Sequence, residues 1–218
     1  MSSTATIRAL VENDLKDTTN LIWSDAEIDR HIQRAVREYS QLSPLETKTT
    51  LVTVAGSREI DIVTPTPLTP LIRIVATEWP TGSYPPEYVP FTLWGNKLTL
   101  DVTGAPPSIQ NVFVFWHKEH TLHATVDASS TFPPTHDDII ATGAAGYAAQ
   151  QLVAHVANRV NVGGEEAWGR YKSLADERLR TFHAMLAAMP QVSRVQSSRL
   201  YAPQDARLRS QTTDPGPM

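Results

Sequence analysis

The spacing of apolar residues changes twice along this chain, and those two changes restrict the fold more than any other feature. Up to Pro44 the apolar residues recur every three or four positions: Ile7, Leu10, Val11 and Leu15, then Ile28, Ile32, Ala35, Val36 and Tyr39. That period puts each set on one face of a helix. From Leu51 to Trp116 apolar and polar residues alternate, as in half-buried strands. Beyond Pro133-Pro134 the helical period returns, in residues 139–157 and again in 165–189. Such an order predicts a helical frame with a β insertion. The helices on the two sides of the insertion need a common core, so they are expected to pack together.

The best-defined boundary is Trp23-Ser24-Asp25-Ala26-Glu27-Ile28. Ser24 and Glu27 have capping-box spacing, and Trp23 and Ile28 have the spacing of a hydrophobic staple. Asp25 and Glu27 put negative charge in the first turn, where the helix dipole favours it. A short helix over residues 4–15 precedes this one across a polar linker, which predicts a helical hairpin.

In the β region, Val52 and Val54 mirror Ile60 and Ile62 across Gly56-Ser57, which predicts a hairpin. Residues 71–76 form a third strand. Trp79 to Tyr88 is a Pro- and Gly-rich aromatic loop. Phe91–Trp94 and Lys97–Leu100 flank Gly95-Asn96, the composition of a primed two-residue turn. Val112 to Trp116 is apolar on both faces and is expected at the centre of a sheet. About six strands suffice for a small antiparallel sandwich or a barrel-like domain.

Past the prolines, Thr135 and Asp138 have a second capping-box spacing. The following helix is dense in small residues: Ala141, Gly143, Ala144, Ala145, Gly146, Ala148 and Ala149. Small side chains let helix backbones approach closely, and Gly costs about 1 kcal/mol at a helical position, so Gly143 and Gly146 call for a packing reason. In residues 165–189, Trp168, Tyr171, Ala175, Leu179, Phe182, Leu186 and Met189 share a face. Residues 191–218 have no period. Four Arg there stand against two Asp, net +2 on a chain of net −4. This composition predicts an extended tail that orders on a partner. The expected class is therefore α+β: a bundle of about four helices from residues 1–45 and 131–190, an inserted β domain over 46–130, and a tail over 191–218.

The absence of cysteine excludes disulfides and Cys-ligated metals. The N-terminus lacks the pattern of a secretory signal, and no apolar run reaches the roughly 20 residues of a membrane span, so the expected setting is the cytoplasm or an assembly built there. The acidic balance argues against a dedicated DNA-binding domain. His117, His120 and His123 could supply a zinc site, but a strand sends i and i+3 to opposite faces. His136-Asp137-Asp138 lies in a first helical turn, where acids are expected in any case. Gly163-Gly164 lacks a Walker lysine, and His155 reads as a core or interface residue. No catalytic residue, cofactor or metal is assigned. The interaction candidates are Trp79, Tyr84 and Tyr88 in the aromatic loop, and Arg194, Arg199, Leu200, Tyr201, Arg207 and Arg209 in the tail.

The run from Asp14 to Asp17, Trp23 to Ile28 and Ala35 to Ser40 resembles the opening of head–tail connector (adaptor, or head-completion) proteins of tailed bacteriophages. Tyr84-Pro85-Pro86-Glu87-Tyr88, Trp94-Gly95-Asn96 and the helix bearing Gly143-Ala144-Ala145-Gly146-Tyr147-Ala148 resemble the same family, in the same order, across roughly residues 5–190. The resemblance implies a non-enzymatic homo-oligomeric ring, usually of twelve copies, in the neck of the virion. It implies docking on the portal, contact with the next tail protein, and a lumen that passes DNA without reading its sequence. A tail-completion or baseplate protein is the nearest alternative. A small metal hydrolase using His117, His120, His123 or His136 with Asp137 is a further one.

Overall fold

The computed structural model describes residues 2–125, 130–157 and 165–189. Among these are four α-helices, seven strands and a 3-10 turn, an α+β fold. The described chain divides into two compact units. The first takes residues 2–47, 69–73 and those described from 116 to 189; the second takes 48–68 and 74–115.

The helices all belong to the first unit: α1 (Thr4–Leu15), α2 (Asp25–Leu42), α3 (Asp137–Ala157) and α4 (Glu165–Ala188). Ser3 caps α1, and Lys16 ends it in the left-handed region at φ 58°. The capping box at α2 forms. The Glu27 carboxylate accepts the Ser24 N–H at 2.9 Å and the Ser24 hydroxyl at 2.8 Å. Trp23 and Ile28, the staple pair, are both buried, and Ile32, Ala35, Val36 and Tyr39 continue the buried seam.

Helix α3 is the hub, packing against α1, α2 and α4. Its glycines mark the closest approach of α4. A Cβ at Gly143 would lie 2.9 Å from the Phe182 ring, and one at Gly146 would lie 2.9 Å from Leu179. Phe182 is fully buried, with Ala144, Ala145 and Ala148 in the same core. Asp14 on α1 pairs with Arg178 on α4 at 3.2 Å.

The start of α3 differs from the expected Thr135–Asp138 box. The chain enters through a 3-10 turn, Pro134–His136, closed by the His136 N–H to the Pro133 carbonyl at 3.1 Å. Pro134 has no N–H to cap and a φ already suited to a helix start. Thr135 thus lies inside the turn, and the Ser2 hydroxyl bonds the Asp137 carboxylate instead.

The strands are β1 (Leu45–Val52), β2 (Glu59–Asp61), β3 (Leu71–Glu78), β4 (Tyr88–Val89), β5 (Phe91–Trp94), β6 (Lys97–Leu100) and β7 (Asn111–Lys118). They form two open sheets, β1-β7-β3-β4 and β2-β6-β5, and neither closes into a barrel. The β5–β6 hairpin pairs Phe91 with Leu100 and Trp94 with Lys97, antiparallel. Gly95 takes φ 56° at the first turn position, as a primed turn with glycine there requires. Strand β7 is central, with Val112, Val114 and Trp116 buried. Its other face, Phe113 and Phe115, is half-buried, with the Lys48 ammonium 3.6 Å from the Phe113 ring centre.

The expected hairpin between residues 52–54 and 60–62 does not form. Strand β1 starts at Leu45 and neighbours β7, whereas β2 pairs with β6. The backbone beyond β1 bonds elsewhere: the Thr53 N–H meets the Gln110 carbonyl and the Gly56 N–H the Pro106 carbonyl, both at 2.8 Å. Burial explains the choice. Ile60 and Ile62 are buried with Leu98 and Leu100, whereas Val52 and Val54 are exposed. Mirrored valines and isoleucines therefore face different surroundings. No described helix is long and apolar enough to cross a membrane.

Candidate functional site

The described surface carries large exposed apolar side chains, and these form the candidate interaction sites. The first is the α1–α2 corner. Asp17 is buried, and its carboxylate accepts three successive backbone N–H groups: Leu21 at 2.9 Å, Ile22 at 2.9 Å and Trp23 at 3.0 Å. Burial raises the carboxyl pKa, but the three N–H groups outweigh it and the value falls below the usual range. Asn20, at φ 55°, donates to Asp25 and fixes the other side of the turn. Trp23 is thereby turned inward, its indole N–H on the Ala148 carbonyl at 3.2 Å. Leu21 is turned outward, 85% exposed, with Ile22 at 49%. Two aliphatic side chains on a rigid corner lose little entropy when a partner covers them.

The second site is in the β unit. Of the aromatic-loop candidates, Trp79 is half-buried. Its indole N–H donates to Gln110 at 3.0 Å, and its backbone N–H to the Glu87 carbonyl at 3.1 Å. It walls a groove of about 380 Å³ with Pro80, Thr81, Ile109, Gln110 and Asn111. Tyr84 is 86% exposed. Tyr88 lies at the edge of a sheet, its ring 6.1 Å from Phe115 in edge-to-face contact. The loop thus contains one anchored indole and one protruding phenol.

Four exposed apolar residues here stand outside the sequence candidates: Trp94, Ile109, Leu21 and Ile22. Trp94, at the tip of β5, is 85% exposed, and Ile109 is also exposed. Trp94 pairs with Lys97, which is bonded to Asp61 at 3.1 Å, so it lies on the polar face of its sheet. Alternation from the buried Leu98 and Leu100 signals that placement, because Trp94 has the opposite phase to Leu93. The other two are Leu21 and Ile22. In Leu21-Ile22-Trp23 only the last residue has the staple position, so two apolar side chains are left over. The tail candidates Arg194, Arg199, Leu200, Tyr201, Arg207 and Arg209 lie outside the described residues.

The histidines have separate hydrogen-bond partners, although His120 and His136 both pack against the Tyr39–Phe132 pair. His117 is buried and accepts from Arg73 Nε at 3.0 Å on Nδ1, which leaves its proton on Nε2, 3.7 Å from Glu46. His120 lies between the Thr131 and Ser43 carbonyls, both at 3.1 Å. His123 accepts from the Thr125 N–H at 3.2 Å, and His136 bonds the Tyr39 hydroxyl at 2.7 Å. His155 is exposed near the end of α3. Among the described residues, no group of three His, Asp or Glu converges on a point where a metal could bind.

Burial, as the main cause, lowers the pKa of His31, His117 and His120. Burial therefore disfavours the charged form of these rings in the folded chain, and unfolding binds protons below the ordinary imidazole value near 6.5. Stability is expected to be level above about pH 6.5 and to fall as pH drops below it. Urea titrations across pH 5–8 test this, and stability rising on acidification would contradict it.

No protein-family model matches the chain, and no curated protein matches it in sequence.

Proposed function

We propose that this chain is a structural, non-enzymatic component of a tailed-phage particle: a head-to-tail adaptor that assembles as a ring on the portal and carries the tail. What carries the reading is that a four-helix unit, interrupted in sequence by a β unit, exposes Leu21 and Ile22 side by side, while the β unit exposes large aromatic side chains of its own. Solvent-exposed Leu21, Ile22, Tyr84 and Trp94 are side chains that an assembly covers. The order of elements agrees with the connector resemblance in residues 5–190. In this reading the two sheets form a small sandwich. The Arg-rich segment 191–218 reaches a neighbouring subunit or the portal. DNA passes through the ring, which sits in the virion neck after assembly in the host cytoplasm. The exposed β-unit aromatics equally suit a tail-completion or baseplate protein, and the position of the chain in the particle separates the two.

The test is assembly. Leu21→Ser/Ile22→Ser and Trp94→Ala change exposed side chains and should leave the melting temperature within a few degrees, since surface changes usually stay within about 0.5 kcal/mol. Co-sedimentation with portal-bearing capsids should fall at least tenfold. Wild-type co-sedimentation by both variants, or no capsid association by the unaltered chain, would reject the proposal.

A further inference from the structure

Helix α2 carries charge in an order that the net −4 of the chain conceals. Arg30, Arg34 and Arg37 stand at i, i+4 and i+7 on the face opposite the buried seam, with exposed Gln33 and Gln41 among them. At 1.5 Å per residue they form a row about 10 Å long. The acids of the same helix are engaged elsewhere. Asp25 and Asp29 are taken by Arg8, at 2.6 Å each. Glu27 accepts from Ser24 and from Gln151 Nε2. Glu38 accepts the Tyr147 hydroxyl at 2.5 Å and lies 3.6 Å from Arg34 and 3.5 Å from His183. Among the described residues, neither Arg30 nor Arg37 forms a close ion pair, although the Arg30 charge reaches the Glu27 carboxylate and helps to hold its pKa down. Arg30 donates to the Gln151 amide oxygen at 2.9 Å, and Arg37 to the Gln33 carbonyl of its own helix.

Two of the three guanidiniums are also held in place. Tyr147 and Gln151, one turn apart on α3, support Arg34 and Arg30, one turn apart on α2. The Arg34 guanidinium stacks 3.8 Å from the Tyr147 ring centre. Gln151 Oε1 receives both Arg30 and the buried His31 ring, whose Nε2 is 2.5 Å away. The three Arg, His31 and Glu38 line a groove of about 470 Å³.

From this geometry we infer that the outward face of α2 is a contact surface for the phosphate backbone of duplex nucleic acid. Guanidiniums fixed before binding match phosphate oxygens bidentately and lose little entropy on contact. The described residues that line the groove are all Arg, His or Glu. A protein partner would be met by an apolar or aromatic centre, whereas nucleic-acid interfaces are polar and positive. Few contacts on an acidic chain make the binding weak, sequence-independent and salt-sensitive. The inference stands on the charges of one chain and does not use the adaptor reading, so the two can fail separately.

Fluorescence anisotropy with a labelled random-sequence duplex, from 50 to 200 mM salt, tests it on the full chain. Each phosphate contact adds about 0.9 to the salt slope, taken as the magnitude of the fall in log K per unit of log salt. Arg30→Gln/Arg37→Gln should lower that slope by about 2 and weaken binding at 50 mM by about tenfold or more. Arg37→Gln alone leaves the Gln151 support intact and should lower the slope by about 1. Arg180→Gln, an exposed arginine on α4, should change nothing. No duplex binding by the unaltered chain, an unchanged slope in the double variant, or an equal loss in Arg180→Gln would each overturn the inference.

Discussion

Phe182→Ala is expected to lower the unfolding free energy by about 3–5 kcal/mol, because it empties the fully buried contact between α3 and α4. The same contact has a mirror-image test. Gly143→Ala places a Cβ 2.9 Å from the Phe182 ring, and a fully buried ring has nowhere to move. Overpacking costs about 1–3 kcal/mol, offset by the roughly 1 kcal/mol that Ala gains over Gly in a helix. In a Phe182→Leu background the ring is gone, and Gly143→Ala should become neutral or stabilising. Urea unfolding of the four chains gives a double-mutant cycle, and a coupling of about 0.5–3 kcal/mol is expected. Additive effects would mean that the glycine does not serve this contact.

The second large effect is at Asp17. Asp17→Ala leaves the buried Trp23 N–H without an acceptor and releases the Leu21 and Ile22 N–H groups. The expected loss is about 1.5–3 kcal/mol. Asp17→Asn should fall in between, because one amide oxygen can still serve the Ile22 and Trp23 N–H groups that share Oδ2. The effect depends on pH with a definite sign. The folded-state pKa lies below the ordinary Asp value, so the carboxylate contributes fully above about pH 4 and loses its contribution as pH falls through the folded value. The gap between wild type and Asp17→Ala should therefore be constant at neutral pH and narrow below about pH 4. A gap that widens in acid would contradict the assignment. The same variant should weaken assembly, since Leu21 and Ile22 would no longer be held in one position.

The helical part of this fold is readable in the residues themselves. Trp23, Ser24, Glu27 and Ile28 mark one helix start by local chemistry alone, and Gly143 and Gly146 announce the close approach that Phe182 and Leu179 fill. The β part is less readable, because strand pairing is non-local. Val52, Val54, Ile60 and Ile62 have the right alternation for a hairpin, yet nothing within that stretch reveals that β1 would neighbour β7 and β2 would pair with β6. The surfaces were legible only by subtraction. Trp94 lies outside the buried phase of its hairpin, and Leu21 and Ile22 are what remains when Trp23 takes the staple. The Arg30–Arg37 row shows in helical spacing. Its support by Tyr147 and Gln151 requires α3 to lie beside α2, which no local pattern supplies.

The most direct measurement is a reconstruction of the assembled phage particle at side-chain resolution. The chain is expected there as a ring between portal and tail, with Leu21, Ile22 and Trp94 covered by neighbouring protein. Absence of the chain from the particle, or a position in which those three side chains face solvent, would contradict it.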